Sequence, residues 1–426
     1  MTDVTSFSKE KLVEYKEKLE KEYQKYLDMN LKLDMSRGKP GPSQLDLCSG
    51  LLHKLDNYIT EEGIDARNYG ILDGIPELKR ILAELLDLNF DNIIIGGNAS
   101  LNLMYDALVR LFMFGTDGNT PWNKLDKVKF LCPCPGYDRH FTILNDLGIE
   151  MINIDMENDG PDIEIIKKLV KEDETIKGIF CVPLYSNPQG ICYSDEKVRA
   201  LATMECAAKD FRIFWDNAYG IHHLYGDHKV HKLLNIFDVA KEVGNEDRIL
   251  YFFSTSKITF PGAGVSLISA SDKNIAEIKK HMSAQTIGHD KMNQLEVARY
   301  FKDANGVSEH MKKLADDMRP KFDLVLETLE RELGGTGLLS WCIPDGGYFV
   351  TVDTLEGCAK ETVALGKKAG VVLTSAGATF PYGIDPKDTN IRLAPTYPSI
   401  EELKIAIELF CVCVKLAGVN KILEDK

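Results

Sequence analysis

From Asp91 to about Leu267, short apolar runs alternate with stretches of helical period. "NIIIGG" reads as a strand, and in the following "LNLMYDALVRLF" residues Leu101, Met104, Leu108 and Leu111 share one helical face. Further strands are expected at "VKFLC", "EMINID", "GIFCVPL", "FRIFW" and "RILYFF", separated by amphipathic segments. Continuous apolar runs flanked by helices predict an α/β fold whose mostly parallel sheet is buried on both faces. From about Ala304 the pattern changes. "GGYFVTVD" and "NIRLAP" read as strands among helices such as "EELKIAIELFCVCVKLAG", which predicts a smaller α+β domain. The charged N-terminal helix and the "SRGKPGP" segment are expected to pack with it. The expected organisation is 1–50 joining the small domain, 51–303 as the large domain, and 304–426 as the small one.

Composition narrows the function classes. The chain has 426 residues, 44% hydrophobic and 27% charged, with a formal net charge of −14. No large block of Lys and Arg is present, which argues against nucleic-acid binding. No run of about 18 or more uncharged apolar residues predicts a membrane span. The charged N-terminus does not read as a signal peptide. The 10 cysteines, including "CPC" and "CVC", lack zinc-site spacing, so free buried thiols and no metal are expected. These features place the expected location in the cytoplasm.

Ligands of an open α/β sheet bind at the carboxyl ends of its strands. Just past the expected strands lie Asn98, Ala99 and Ser100; Tyr137; Asn187 within "NPQG"; Asp216 and Tyr219 within "WDNAYG"; and Ser254, Ser256 and Lys257 within "STSK". Singly, each has a plain alternative. "GGNAS" reads as a helix cap, "NPQG" as a turn, Lys257 as a lysine snorkelling to water, and Asp216 as a cap. The ordered set fits one cofactor, pyridoxal phosphate. Its aldehyde needs an amine for a Schiff base, its ring nitrogen a buried carboxylate, and its phosphate a helix N-terminus with hydroxyl donors. A buried lysine is costly unless it is paired or chemically used, and here it has a use.

From about Met35 to Leu403 the chain resembles the fold-type I, class I/II aminotransferases. The resemblance is greatest to the aspartate aminotransferase subgroup related to MocR-type regulators but lacking their DNA-binding domain. It rests on "SRGKPGPSQLDL", "ARNYGILDGIPELK", "GGNASLNLMYDAL", "NPQG", "WDNAYGIHHL", "STSKITFPGAG", "PDGGYFV" and "NIRLAPTYPSIEEL". It implies that Lys257 forms the Schiff base and then moves the Cα proton, with Asp216 on the pyridine nitrogen. Asn187 and Tyr219 would bond the ring oxygen and Tyr137 would stack on the ring. Ser254 and Ser256, with the Asn98–Ala99–Ser100 backbone, would hold the phosphate. Arg392 would clamp the substrate α-carboxylate, with the Gly38 backbone beside it. Tyr69 would reach the phosphate of a partner subunit, which implies a homodimer with shared sites. The plain alternatives are an ion pair for Arg392, a core aromatic for Tyr137 and intrachain packing for Tyr69.

Two departures stand out. Gly264 occupies the place of an arginine that many relatives use for the phosphate. Ser283 stands where a partner-subunit arginine of the aspartate enzymes would bind the side-chain carboxylate, leaving Arg37, Lys39 and Lys291 as replacement candidates. The implied activity is ping-pong transamination, with aspartate as donor and 2-oxoglutarate as acceptor. The alternatives are transamination of another amino acid, a lyase using the same cofactor, or a non-catalytic regulator that holds it.

Overall fold

The apolar runs become strands because alternate residues face two separate cores. In a computed structural model, which describes residues 3–53, 55–226 and 230–426, the strands are β1 (Leu33–Asp34), β2 (Ile93–Ile95), β3 (Lys129–Cys134), β4 (Glu150–Glu157), β5 (Gly160–Pro161), β6 (Ile176–Cys181), β7 (Arg212–Asp216), β8 (Ile249–Ser254), β9 (Ser266–Ala270), β10 (Leu339–Trp341), β11 (Val350–Thr354), β12 (Val371–Val372) and β13 (Asn390–Leu393). On β7, Ile213 and Trp215 enter one core while Phe214 enters the other. On β8, Ile249, Tyr251 and Phe253 alternate in the same way with Leu250 and Phe252. Both faces are therefore apolar, and the run carries no polar alternation.

The main sheet has the order β2-β9-β8-β7-β6-β3-β4-β5. Strands β8, β7, β6, β3 and β4 are parallel, whereas β9 runs antiparallel to both β2 and β8. The chain leaves β3 for β4 on one side and returns to β6 on the other. The carboxyl ends of β3 and β6 thus meet where the winding direction reverses, the usual ligand crevice of such sheets. Helices 100–114, 138–146 and 272–285 cover one face; helices 163–172, 195–203, 236–241 and 291–301 cover the other.

A second core gathers β10, β11 and β13 with the N- and C-terminal helices. Leu12, Leu19 and Tyr23 of helix Lys9–Asp28 belong to it, and the Tyr23 hydroxyl donates to the Leu365 carbonyl at 2.7 Å. The "SRGKPGP" segment follows β1, which pairs in parallel with β12. The helix Ala304–Leu333 serves both cores. Val307, Met311 and Leu314 pack on the sheet, and Phe322, Val325 and Leu329 pack on the second core. The C-terminal helix starts with a capping box between Ser399 and Glu402.

Phe214 sits at 0% exposure among Phe130, Phe180 and Phe252, with ring centroids 5.0–5.6 Å away. Phe214→Ala is expected to cost about 3–5 kcal/mol, because the closed ring cluster cannot collapse into the void. Denaturant titration of the variant checks this, and an unchanged midpoint would contradict a two-faced core.

Candidate active site

Tight turns hold Lys257 at the end of β8. Thr255 accepts from Val265 N through its hydroxyl at 3.0 Å, and its carbonyl accepts from Ile258 N and Thr259 N at 2.8 Å each. The Tyr348 hydroxyl lies 3.3 Å from the Lys257 carbonyl oxygen and 3.1 Å from Gln44 Oε1, two acceptors for one proton. Lys257 Nζ lies 5.0 Å from the Tyr219 ring centre and 5.9 Å from that of Tyr348. It makes no hydrogen bond or salt bridge among the described residues. Part of the side chain is exposed because it opens onto a cavity, yet protein surrounds the amine. Burial pushes the amine below the ordinary lysine value; Arg392 adds to this and Asp216 opposes it.

That cavity has a volume of about 690 Å³. Lys257, Asp216, Tyr219, Tyr137, Asn187, Ala99, Ser100, Ser254, Ser256, Gly38 and Arg392 all line it. Residues named from one strand end after another, and from both parts of the chain, therefore share one space.

Asp216 ends β7 at 3% exposure. Its Oδ2 lies 3.1 Å from His140 Nε2, while its Oδ1 is buried with no hydrogen-bond partner among the described residues. A buried carboxylate oxygen left without a donor is costly and rare. His140 stacks on Phe180 at 4.1 Å, and Tyr137 sets its ring edge-on at 5.0 Å. Tyr219 is buried, and that burial, reinforced by Tyr137 and Asp216, raises its hydroxyl well above the usual tyrosine value. Burial likewise pushes Tyr137 up to about 12. Both phenols therefore stay protonated at neutral pH and serve as donors.

Arg392 lies on β13, paired with Thr351 of β11. Its Nη1 donates to Asp138 Oδ1 at 3.1 Å and to Asn187 Oδ1 at 3.2 Å. The guanidinium sits 4.8 Å from the Phe349 ring centre. On that ring also rests Gly38, where an added Cβ would come within 2.4 Å of Phe349 Cζ. A side chain at position 38 is thereby excluded, and the backbone stays within reach of ligand.

At the other end, helix Ser100–Phe114 begins without a side-chain cap, so its first N–H groups have no capping side chain. The Ser254 hydroxyl donates to Ser256 Oγ at 3.0 Å, and Ser256 Oγ donates to the Asn98 carbonyl at 3.0 Å. Asn98 does not line the cavity. Its side chain ties the cup together by donating to the Pro261 carbonyl at 3.0 Å. An added Cβ at Gly264 would lie 3.0 Å from Thr255 Oγ1 and 3.1 Å from the Phe260 carbonyl, so a longer residue there must shift the turn.

Other expectations separate here. Tyr69 lies outside the cavity with 80% exposure, which is not intrachain packing. Arg37 and Lys39 line the cavity, and Lys39 also faces Asp34 at 3.8 Å. Lys291 does not: it is 5% exposed in the first turn of helix Lys291–Phe301, away from the cavity lining. Ser283 also stays outside, bonded to the Lys280 carbonyl on its own helix. The residues not anticipated are His140, Asp138, Tyr348 and Phe349. Only His140 carried a signal, three positions after Tyr137 at a helix start, where i and i+3 share a face.

Among the described residues there is no group of three or more His, Cys, Asp or Glu side chains that could hold a metal, and no helix is long and apolar enough to cross a membrane.

The sequence matches the aspartate amino-transferase family over residues 7–426. It is 47% identical to a protein of Mycolicibacterium smegmatis named as an aminotransferase, over 99% of both chains. It is 41% identical to an aspartate aminotransferase of Corynebacterium glutamicum, over 97% of this chain and 95% of that one. The crystal structure of an aspartate transaminase from Corynebacterium glutamicum superposes with a TM-score of 0.95 at 40% identity, covering 99% of each chain.

Proposed function

The chain belongs to the aspartate amino-transferase family, fold-type I enzymes that work with pyridoxal phosphate, and from that premise we propose that it moves the amino group of aspartate to 2-oxoglutarate. The observation that carries the cofactor assignment is the orphaned Asp216 Oδ1, in the same cavity as the desolvated Lys257 amine. A protonated ring nitrogen supplies the missing donor, and an aldehyde gives the unpaired amine its use.

Pyridoxal phosphate supplies an aldehyde that condenses with amines and a ring that accepts electrons from Cα. The chain's own residues do the rest. Asp216, oriented by His140, would hold a proton on the ring nitrogen. Tyr219 Oη and the Asn187 amide would donate to the ring oxygen, and Tyr137 would pack against the ring. The bare N-terminus at Ala99–Ser100, with Ser254 and Ser256, receives the phosphate. Arg392 draws in the substrate α-carboxylate, which sets Cα beside Lys257. The Lys257 amine would take the proton from Cα and later give it back, acting as base and then as acid. Burial lowers its affinity for protons, which favours the neutral amine that this step needs.

That same shift gives a pH prediction. Attachment of pyridoxal phosphate to the cofactor-free protein requires the neutral amine. Its rate should therefore rise with pH to a midpoint below the ordinary lysine value of 10.5. Stopped-flow absorbance measures this, and a midpoint at or above that value would contradict a desolvated amine.

Assembly follows from the same reading. Tyr69 and Ile287 are both exposed, at 80% and 60%, and the carbonyls of Gly70 and Ile71 lie against Gly288. A protruding tyrosine with an exposed isoleucine nearby supports a homodimer in which Tyr69 reaches the partner's phosphate site.

Nitrogen-labelled aspartate tests the reaction itself. The label should appear in glutamate, and reciprocal rate plots at several 2-oxoglutarate concentrations should be parallel. Label released as ammonia would point to a lyase instead. Transfer from another amino acid but not from aspartate would keep the chemistry and change the donor.

A further inference from the structure

We propose that Asp138 is an internal competitor for Arg392, holding the guanidinium donor that a substrate carboxylate must take and so setting how tightly acidic substrates bind. The proposal rests on the reading of Arg392 as the carboxylate clamp.

Asp138 opens the helix Asp138–Asp146 directly after Tyr137, and its side chain lines the cavity. The Nη1 of Arg392 carries two protons. One goes to Asp138 Oδ1 at 3.1 Å and the other to Asn187 Oδ1 at 3.2 Å. The Nε is buried and has no hydrogen-bond partner among the described residues. An end-on grip on a carboxylate takes one proton from each Nη nitrogen, and that grip needs an Nη1 proton already in use. The strand pairing of β13 with β11 fixes the root of the side chain, and the Phe349 ring centre 4.8 Å from the guanidinium restricts its turning.

One of the two occupants has to yield. Asn187 is neutral and 4% exposed. Asp138 is an acid whose side chain is 32% exposed, and an arriving carboxylate repels it. Asp138 is therefore the group that leaves. Asp138 and Asp216 are the acidic side chains lining the cavity, whereas Arg37, Lys39 and Arg139 add cations to it. Asp138 offsets that positive field at Arg392. The measured affinity for any carboxylate is then a difference between two ion pairs, which restrains binding of the wrong anions.

The test uses the holoenzyme and maleate, a dicarboxylate with no amino group to react. In Asp138→Asn the competitor loses its charge but keeps its shape. Maleate should bind about three- to tenfold tighter, and KM for the amino acid should fall in the same direction. Asp138→Glu keeps the charge and should stay near the unaltered chain. The visible cofactor band confirms that each variant is folded and loaded. Unchanged or weaker maleate binding in Asp138→Asn overturns the proposal, the latter because it would make Asp138 a support for Arg392 instead. Arg392→Leu separates this from the underlying reading. If maleate binding is lost there but is not tightened in Asp138→Asn, only the competitor is wrong. If Arg392→Leu leaves maleate binding intact, the clamp assignment falls as well.

Discussion

Lys257→Ala should lower turnover by about 10⁴-fold or more while leaving a folded protein that still takes up pyridoxal phosphate. On the proposed reading two functions would be lost together, the covalent hold on the cofactor and the base that moves the Cα proton. The fold should not suffer. The turn around position 257 is held by Thr255 and Tyr348 through contacts that do not involve the Lys257 side chain, and the amine itself makes no hydrogen bond among the described residues. Stability should even rise slightly in the cofactor-free form at neutral pH. Burial lowers the amine's proton affinity in the folded chain, so the unfolded chain binds more protons below 10.5 and the folded state carries a cost that alanine removes. Kinetics, cofactor retention on dialysis and a denaturant titration check the three parts. Adding a small primary amine should restore part of the rate, because the cavity can admit the missing base. A variant with turnover near that of the unaltered chain would remove Lys257 from the chemistry.

Asp216→Asn should cost roughly 10²- to 10³-fold in kcat, with phosphate anchoring intact. The substitution keeps the size of the side chain and a partner for His140 but removes the charge proposed to hold a proton on the ring nitrogen. Without that proton the ring is a poor acceptor of electrons from Cα. The loss should appear in kcat more than in cofactor affinity, since Ser254, Ser256 and the helix start at Ser100 are untouched. A second effect is coupled to the first. Asp216 raises the proton affinity of Lys257, so in Asp216→Asn the pH midpoint for cofactor attachment should move further down. A variant that keeps both its kcat and its midpoint would mean that Asp216 serves only to bind His140.

Much of the site was legible because it lies at strand ends, and strand ends were legible because β6, β7 and β8 are buried on both faces. Apolar runs such as "FRIFW" stop where the chain leaves the core, so Asp216 and Lys257 stood out as polar residues at those stops. Strand direction was less legible. β9, "SLISA", is as apolar as its neighbours, and a run buried on both faces carries no mark of running antiparallel. β1 and β12 have two residues each and exist through their pairing. The helix from Ala304 reads as one amphipathic unit, yet its face passes from one core to another along its length. Contacts between distant segments were the least legible. Asp138 meets Arg392 across 254 positions, and His140 meets Asp216 across 76. Lys291 was a candidate by charge alone, and the capped helix start that buries it lies away from the cavity.

The most direct test of the account is the absorbance spectrum of the protein reconstituted with pyridoxal phosphate, recorded before and after aspartate is added with no oxo acid. The account predicts a visible band from the cofactor joined to Lys257, its replacement by the shorter-wavelength absorption of the aminated cofactor, and release of oxaloacetate. A protein that shows no such band after reconstitution would contradict the assignment of Lys257, and with it the reading of the cavity as an aminotransferase site.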